Sequence, residues 1–210
     1  MLSAERIGHA FGGSPVLSEA SLALGAGEIV GLGGMSGSGK STLGRILGGH
    51  LVPQSGRVRL DGAPLPPPGV GRPAPVQYAP QAAELAVDPR WRIGRILANG
   101  GTPDPEAIAA LGVAPAWTDR HPSELSGGEL ARVSLARFFH PGLRALVCDE
   151  ITAQLDALEQ AALLERLTGV ARRRGLALLL VSHSAGLRAR YCDRSLILTE
   201  GRLVPEAMPR

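Results

Sequence analysis

The stretch GLGGMSGSGKSTL, residues 31–43, holds Lys40, the single lysine among the 22 Lys and Arg residues of the chain. Gly34 to Ser41 fit the pattern G-x-x-x-x-G-K-[ST], read residue by residue as Gly34, Met35, Ser36, Gly37, Ser38, Gly39, Lys40 and Ser41, with Thr42 following. The flanks agree with the pattern. Glu28–Gly34 (EIVGLGG) reads as a buried strand entering a glycine turn, and KSTLGRILGG reads as a helix. Glycines let the backbone close around phosphate oxygens, with successive N–H groups pointing inward and the helix N-terminus adding its positive end. A compact ammonium fits among β- and γ-phosphate oxygens where a planar guanidinium does not, which explains a lone lysine in an arginine-rich chain. The Ser41 hydroxyl is placed to coordinate Mg²⁺. GTPases, small kinases and transport ATPases all use such a loop. The guanine-reading motif Asn-Lys-x-Asp needs a second lysine, so a conventional GTPase is disfavoured.

Outward from this loop, 210 residues suit one domain, and 44% hydrophobic with 20% charged residues suits a soluble globular chain. A formal charge of +3 does not mark a nucleic-acid binder. Arg172, Arg173 and Arg174 close a helical pattern before Gly175, where a helix dipole favours cations. Cys148 and Cys192 lack metal-ligand spacing and fit a reduced, cytosolic compartment. The N-terminus shows no apolar signal region, and the run Leu176–Val181 is far below the ~20 residues that span a bilayer. Apolar runs such as ALVCDE and LALLLVSH alternate with helical patterns and predict a parallel, two-sided α/β sheet. SLILTEGRLVP reads as a hairpin about Glu200 and Gly201. Pro64–Pro75 reads as a stiff surface loop, and about 85–139 as short helices inserted into the α/β core.

Three further signals narrow the chemistry. In ELSGGELARVSLARFF, Ser126 and Glu129 form a capping-box pair, an ordinary helix start on its own. Gly127 and Gly128 are poor helix formers in that first turn and make sense where a phosphate approaches the backbone closely. In RALVCDEITAQLD an apolar strand ends in Asp149 and Glu150, placed to hold Mg²⁺ and to polarise an attacking water. In LALLLVSH, His183 follows a buried strand directly, whereas His9, His50, His121 and His140 read as structural.

A phosphate loop, then LSGGE, then VCDE with LD, then a strand-end histidine resembles the ATP-binding subunit of an ABC transporter over nearly the whole chain. The resemblance implies a P-loop NTPase core with a mainly parallel sheet, an N-terminal antiparallel β part and an inserted small helical subdomain, all in a single ATPase domain over 1–210. It implies that Phe11 stacks on the adenine of ATP. Gln81 in VQYAPQ then senses Mg²⁺ and the γ-phosphate, Asp156 is the D-loop residue, and His183 contacts the γ-phosphate. Ser126, Gly127 and Gly128 serve the nucleotide held by an opposite subunit. Catalysis falls to Glu150, His183, Gln81 and Lys40, and the metal to Ser41, Gln81 and Asp149. Ile151 stands where the family commonly has proline, and the short interval from Gln81 to LSGGE implies a reduced helical subdomain.

Val87-Asp88-Pro89-Arg90 resembles the segment after the glutamine in peptide/nickel uptake ATPases, and DEITAQLD resembles variants among metal-chelate members. The chain stops at Arg210 without the C-terminal extension those ATPases often carry. The resemblance implies a second ABC ATPase subunit, equal or different, integral-membrane permease subunits and a substrate-binding protein as partners, at the cytoplasmic face of the membrane. It implies no nucleic acid. The rivals are a soluble ABC-type ATPase acting on DNA or ribosomes, and the ATPase of an exporter; the first usually has two ATPase halves, coiled-coil arms or basic inserts, the second fused membrane helices.

Overall fold

Alternation of buried and exposed side chains starts at the first strand of the computed structural model, which describes residues 1–69, 73–99 and 101–207. In β1 (Leu2–Phe11), Leu2, Ala4, Ile7 and His9 point inward. The phase shifts at a bulge where Arg6 has φ +48°. β2 (Ser14–Leu24) pairs antiparallel with β1 and brings Ser14 opposite Phe11 at the tip. β3 (Ile29–Gly33) is buried throughout and leads through the glycine loop into α1 (Lys40–Leu47). β4 (Ser55–Leu60) covers the other side of β1, and β5 (Ala63–Pro64) is the outer edge, where a proline costs no ladder bond. The expected stiff loop of Pro64–Pro75 therefore begins on a sheet edge; its residues 70–72 lie outside the described residues.

β6 (Val76–Ala79) begins the α/β layer again. Three short helices follow, α2 (Ile93–Ala98), α3 (Pro105–Ala110) and α4 (Gly127–Ala136), with two 3-10 turns between α3 and α4. β7 (Ala145–Asp149), α5 (Ala157–Arg174), β8 (Ala177–Val181), α6 (Ala185–Tyr191), β9 (Arg194–Thr199) and β10 (Arg202–Pro205) complete the chain. Six strands form the second sheet in the order β10-β9-β3-β8-β7-β6, with only the β9–β10 hairpin antiparallel. Glu200 and Gly201 both have positive φ in its two-residue turn, as such tight hairpins require.

Each central strand feeds two cores, because successive side chains point to opposite faces. Val30, Leu32, Val147, Leu179 and Val181 pack with α1 and the antiparallel sheet. Ile29, Leu146, Cys148, Leu178 and Leu180 pack with α5 and the helical segment, including Trp117, Ile93 and Val133. Each such side chain contributes about 1.5–3 kcal/mol on leaving water.

Helix ends are set by local chemistry. The carboxylate of Asp104 accepts from the Ala107 N–H at 3.0 Å and caps α3. Gly175, with φ +62°, closes α5. Two of the three arginines before it are not merely solvated: Arg174 grips Asp104 through both terminal guanidinium nitrogens, and Arg172 bonds Asp193 at 2.9 Å. Arg174 thus ties α5 to the start of α3, and its hydrogen bonds hold the Asp104 carboxyl below the usual carboxylate range. A carboxyl depressed in the folded state stabilises above its unfolded value of about 3.9 and loses that contribution as pH falls through the folded value. Asp104→Asn should therefore cost about 2 kcal/mol at pH 7 in urea unfolding, and the gap to wild type should close as the pH is lowered below about 3.9.

Candidate functional site

The glycine loop is shaped by three positive φ angles, +141° at Gly34, +78° at Gly37 and +103° at Gly39. A β-carbon at Gly34 would lie 2.6 Å from the Leu198 carbonyl oxygen, and one at Gly39 would lie 2.7 Å from Val16 Cγ1. At Gly37 such a carbon would meet nothing within 4 Å, so there the glycine serves conformation alone and leaves open space above the backbone.

Lys40 heads α1 and is only 5% exposed. Its ammonium donates to the carbonyls of Gly34 at 3.0 Å and Met35 at 2.8 Å. An ammonium has three donors, and the remaining one faces the cleft, where Glu150 Oε1 lies 4.0 Å from Nζ. The same oxygen lies 2.6 Å from His183 Nε2. One carboxylate therefore stands between the loop's cation and the strand-end imidazole. Glu150 holds this place in a left-handed backbone conformation, φ +52°, which costs a non-glycine residue about 1–2 kcal/mol.

These groups share one cleft of about 520 Å³. It is lined by Phe11, Val16, Ser36, Gly37, Gly39, Lys40, Ser41, Thr42, Gln81, Glu150 and His183. Phe11 stands half-exposed at one end with its ring edge against His9, centroids 4.7 Å apart. Asp149 is buried and lies outside the lining. The hydroxyl of Ser38 is buried without a partner.

Ser126, Gly127, Gly128 and Asp156 are not part of this cleft. The Ser126 hydroxyl accepts from the Glu129 N–H at 3.2 Å, while Glu129 accepts from the Ser126 N–H at 2.9 Å, the expected capping box. Asp156 caps α5 by accepting from the Glu159 N–H at 2.9 Å. Gly127 faces open space, whereas a β-carbon on Gly128 would strike the Glu159 carboxylate. One glycine is thus bare outward, and the other leaves room for the Glu159 carboxylate.

A model of the ABC transporter family matches residues 17–153. The chain belongs to the ABC transporter family. It is an ABC-type ATPase that binds ATP. The nickel import ATP-binding protein of Rhodospirillum rubrum is 40% identical over 91% of this chain and 75% of its own length. The hemin import ATP-binding protein of Pseudomonas entomophila is 40% identical over 96% and 84%. The methionine import ATP-binding protein of Caulobacter vibrioides is 33% identical over 94% of this chain and 63% of its own. In fold, the chain matches a dimeric ATP-binding cassette in a post-hydrolysis state with ADP and Pi, with a TM-score of 0.82 at 21% identity, over 100% and 99% of the two chains.

Sequence reading passed over Tyr78. Its hydroxyl donates to Asp149 Oδ2 at 2.6 Å, and burial first, then this bond, pushes the phenol pKa up, so it stays a donor. Gly44 and Gly48 make room for it: β-carbons there would lie 2.9 Å from Tyr78 Cε2 and 2.8 Å from Tyr78 Cβ. The available signal was a pair of glycines four apart, one inside α1 and one capping it. Tyr78→Phe keeps the ring in that slot and strands one oxygen of Asp149. It should lower stability by about 1–2 kcal/mol in chemical denaturation with unchanged far-UV dichroism.

Proposed function

We propose that this chain is the ATP-hydrolysing subunit that energises an uptake ABC transporter, with nickel or a metal-chelate complex as cargo and peptides as the third class that Val87–Arg90 resembles. The observation that carries the enzymatic half is the single Glu150 carboxylate at the mouth of the phosphate loop, facing both Lys40 and His183. The cargo half is supported by the nickel and hemin import relatives, each 40% identical.

In this reading Phe11 stacks on adenine, and the loop from Gly34 to Thr42 cradles the triphosphate with its N–H groups. Lys40 and His183 offset charge that develops on the γ-phosphate. Glu150 takes a proton from the attacking water, and its fixed, strained backbone limits how far the carboxylate can wander. Ser41, Asp149 and Gln81 offer only oxygen ligands, the donor set a hard divalent cation takes, and these residues fit Mg²⁺. When bound, Mg²⁺ neutralises phosphate charge. Tyr78 already fixes one oxygen of Asp149, leaving the other for that role.

The signature residues Ser126, Gly127 and Gly128 and the D-loop Asp156 stand apart from the chain's own cleft. This supports a second ABC ATPase subunit that presents the same residues to the nucleotide, so that two ATP molecules lie between paired domains. Closure and reopening of that pair would drive permease subunits in the membrane, which hold the ATPase at its cytoplasmic face. A substrate-binding protein would deliver the cargo.

Glu150→Gln should keep ATP affinity within about twofold and lower turnover by about 10²–10⁴-fold, with ATP-dependent dimer accumulating in size-exclusion chromatography. Turnover at the wild-type rate would remove Glu150 from this role. The cargo is tested by uptake of labelled nickel, hemin and peptides in cells lacking this subunit; loss of none of the three would overturn the transport assignment.

A further inference from the structure

Arg188 lies in α6, the short helix after His183, yet only 3% of it is exposed. Its guanidinium is fully engaged on one side by Glu206, which accepts from Nε at 2.9 Å and from the second terminal nitrogen. The remaining nitrogen donates to the Ser182 carbonyl. The side chain lies in a trough of β3. A β-carbon on Gly33 would sit 2.7 Å from Arg188 Cζ, and one on Gly31 3.1 Å from Arg188 Cδ. Two glycines in a buried central strand are otherwise unfavourable, and here they give an arginine room to cross the sheet just before the phosphate loop.

The Ser182 carbonyl and the His183 N–H belong to one planar peptide unit. The Ser182 N–H is already held by the Leu32 carbonyl at 3.1 Å, and the Ser184 N–H by Ser182 Oγ at 3.2 Å. Anchoring the carbonyl as well fixes the plane from which the His183 ring reaches Glu150. We infer that Arg188, clamped by Glu206, is a positioning residue that holds the switch loop so that His183 stays on Glu150, making the segment after β10 part of the ATP site. A buried charge pair adds little net stability over apolar packing but specifies one arrangement, which suits such a role. The inference rests on the proposed part of His183 in hydrolysis.

Glu206→Gln, His183→Ala and the double variant are compared with wild type in steady-state ATPase assays, alongside thermal unfolding. Glu206→Gln should lower kcat by roughly tenfold or more with KM for ATP within about twofold, since a misplaced group costs rate rather than binding. The double variant should turn over no more slowly than His183→Ala alone, because both changes act through one ring. Wild-type kcat in Glu206→Gln, even with a lowered Tm, or losses that multiply in the double variant, would overturn the inference. Wild-type kcat in His183→Ala would instead overturn the part given to His183 itself. Where Glu206→Gln does not fold, Arg188→Lys keeps a cation in the trough, removes the fork, and is read in the same way.

Discussion

The site depends on the parallel register of β3 with its neighbours. Leu32 lies level with Val181, and Val181 with Asp149. The ladder extends one step past the strands, where the Glu150 N–H donates to the Val181 carbonyl and the Ser182 N–H to the Leu32 carbonyl, each at 3.1 Å. The phosphate loop, Glu150 and His183 therefore leave the sheet from one edge, although more than a hundred residues separate the first from the others. A slip of one residue would turn the apolar set of β3 to the wrong face and part these strand ends together. Ligands of open α/β sheets bind beyond the carboxyl ends of the strands for this reason.

On that edge the charges are arranged around one acid. Lys40 spends two of its donors on loop carbonyls, which holds the ammonium in place without any anion. Glu150 then balances it from 4.0 Å and is steadied by His183. The arrangement is prepaid in the fold through a left-handed Glu150 and three left-handed glycines, so little reorganisation remains for the moment of reaction.

Much of this was legible in the residues, and the rest was not, for physical reasons. The central strands declared themselves because burial on both faces demands unbroken apolar runs, and Asp149, Glu150 and His183 stood out as polar residues ending them. The caps at Ser126 and Asp156 were readable because capping is local. Arg188 and Glu206 were invisible: their pairing spans 18 positions and needs the β9–β10 hairpin to return the chain. Arg188 also falls in a seven-residue helix, too short to reveal a buried face by periodicity. Gly31 and Gly33 were read only as part of a glycine turn, since nothing local shows that an arginine fills their trough. Arg174 looked like a dipole-complementing surface charge because Asp104 lies 70 residues away. Tyr78 was passed over because its partner Asp149 lies 71 positions away.

The signature edge shows how far a chain can shape such groups by itself, ahead of the partner proposed for it. Ser126 accepts a backbone N–H for its cap, and its own O–H proton remains to donate. Gly127 beside it has nothing over it, while Gly128 faces the Glu159 carboxylate in the first turn of α5, where Asp156 is itself committed to capping. Ser126 and Asp156 therefore cap α4 and α5 through local bonds of their own, made without a ligand. In the proposed reading, a self-capped edge with one bare glycine and one spare hydroxyl meets a triphosphate that arrives already held by another subunit.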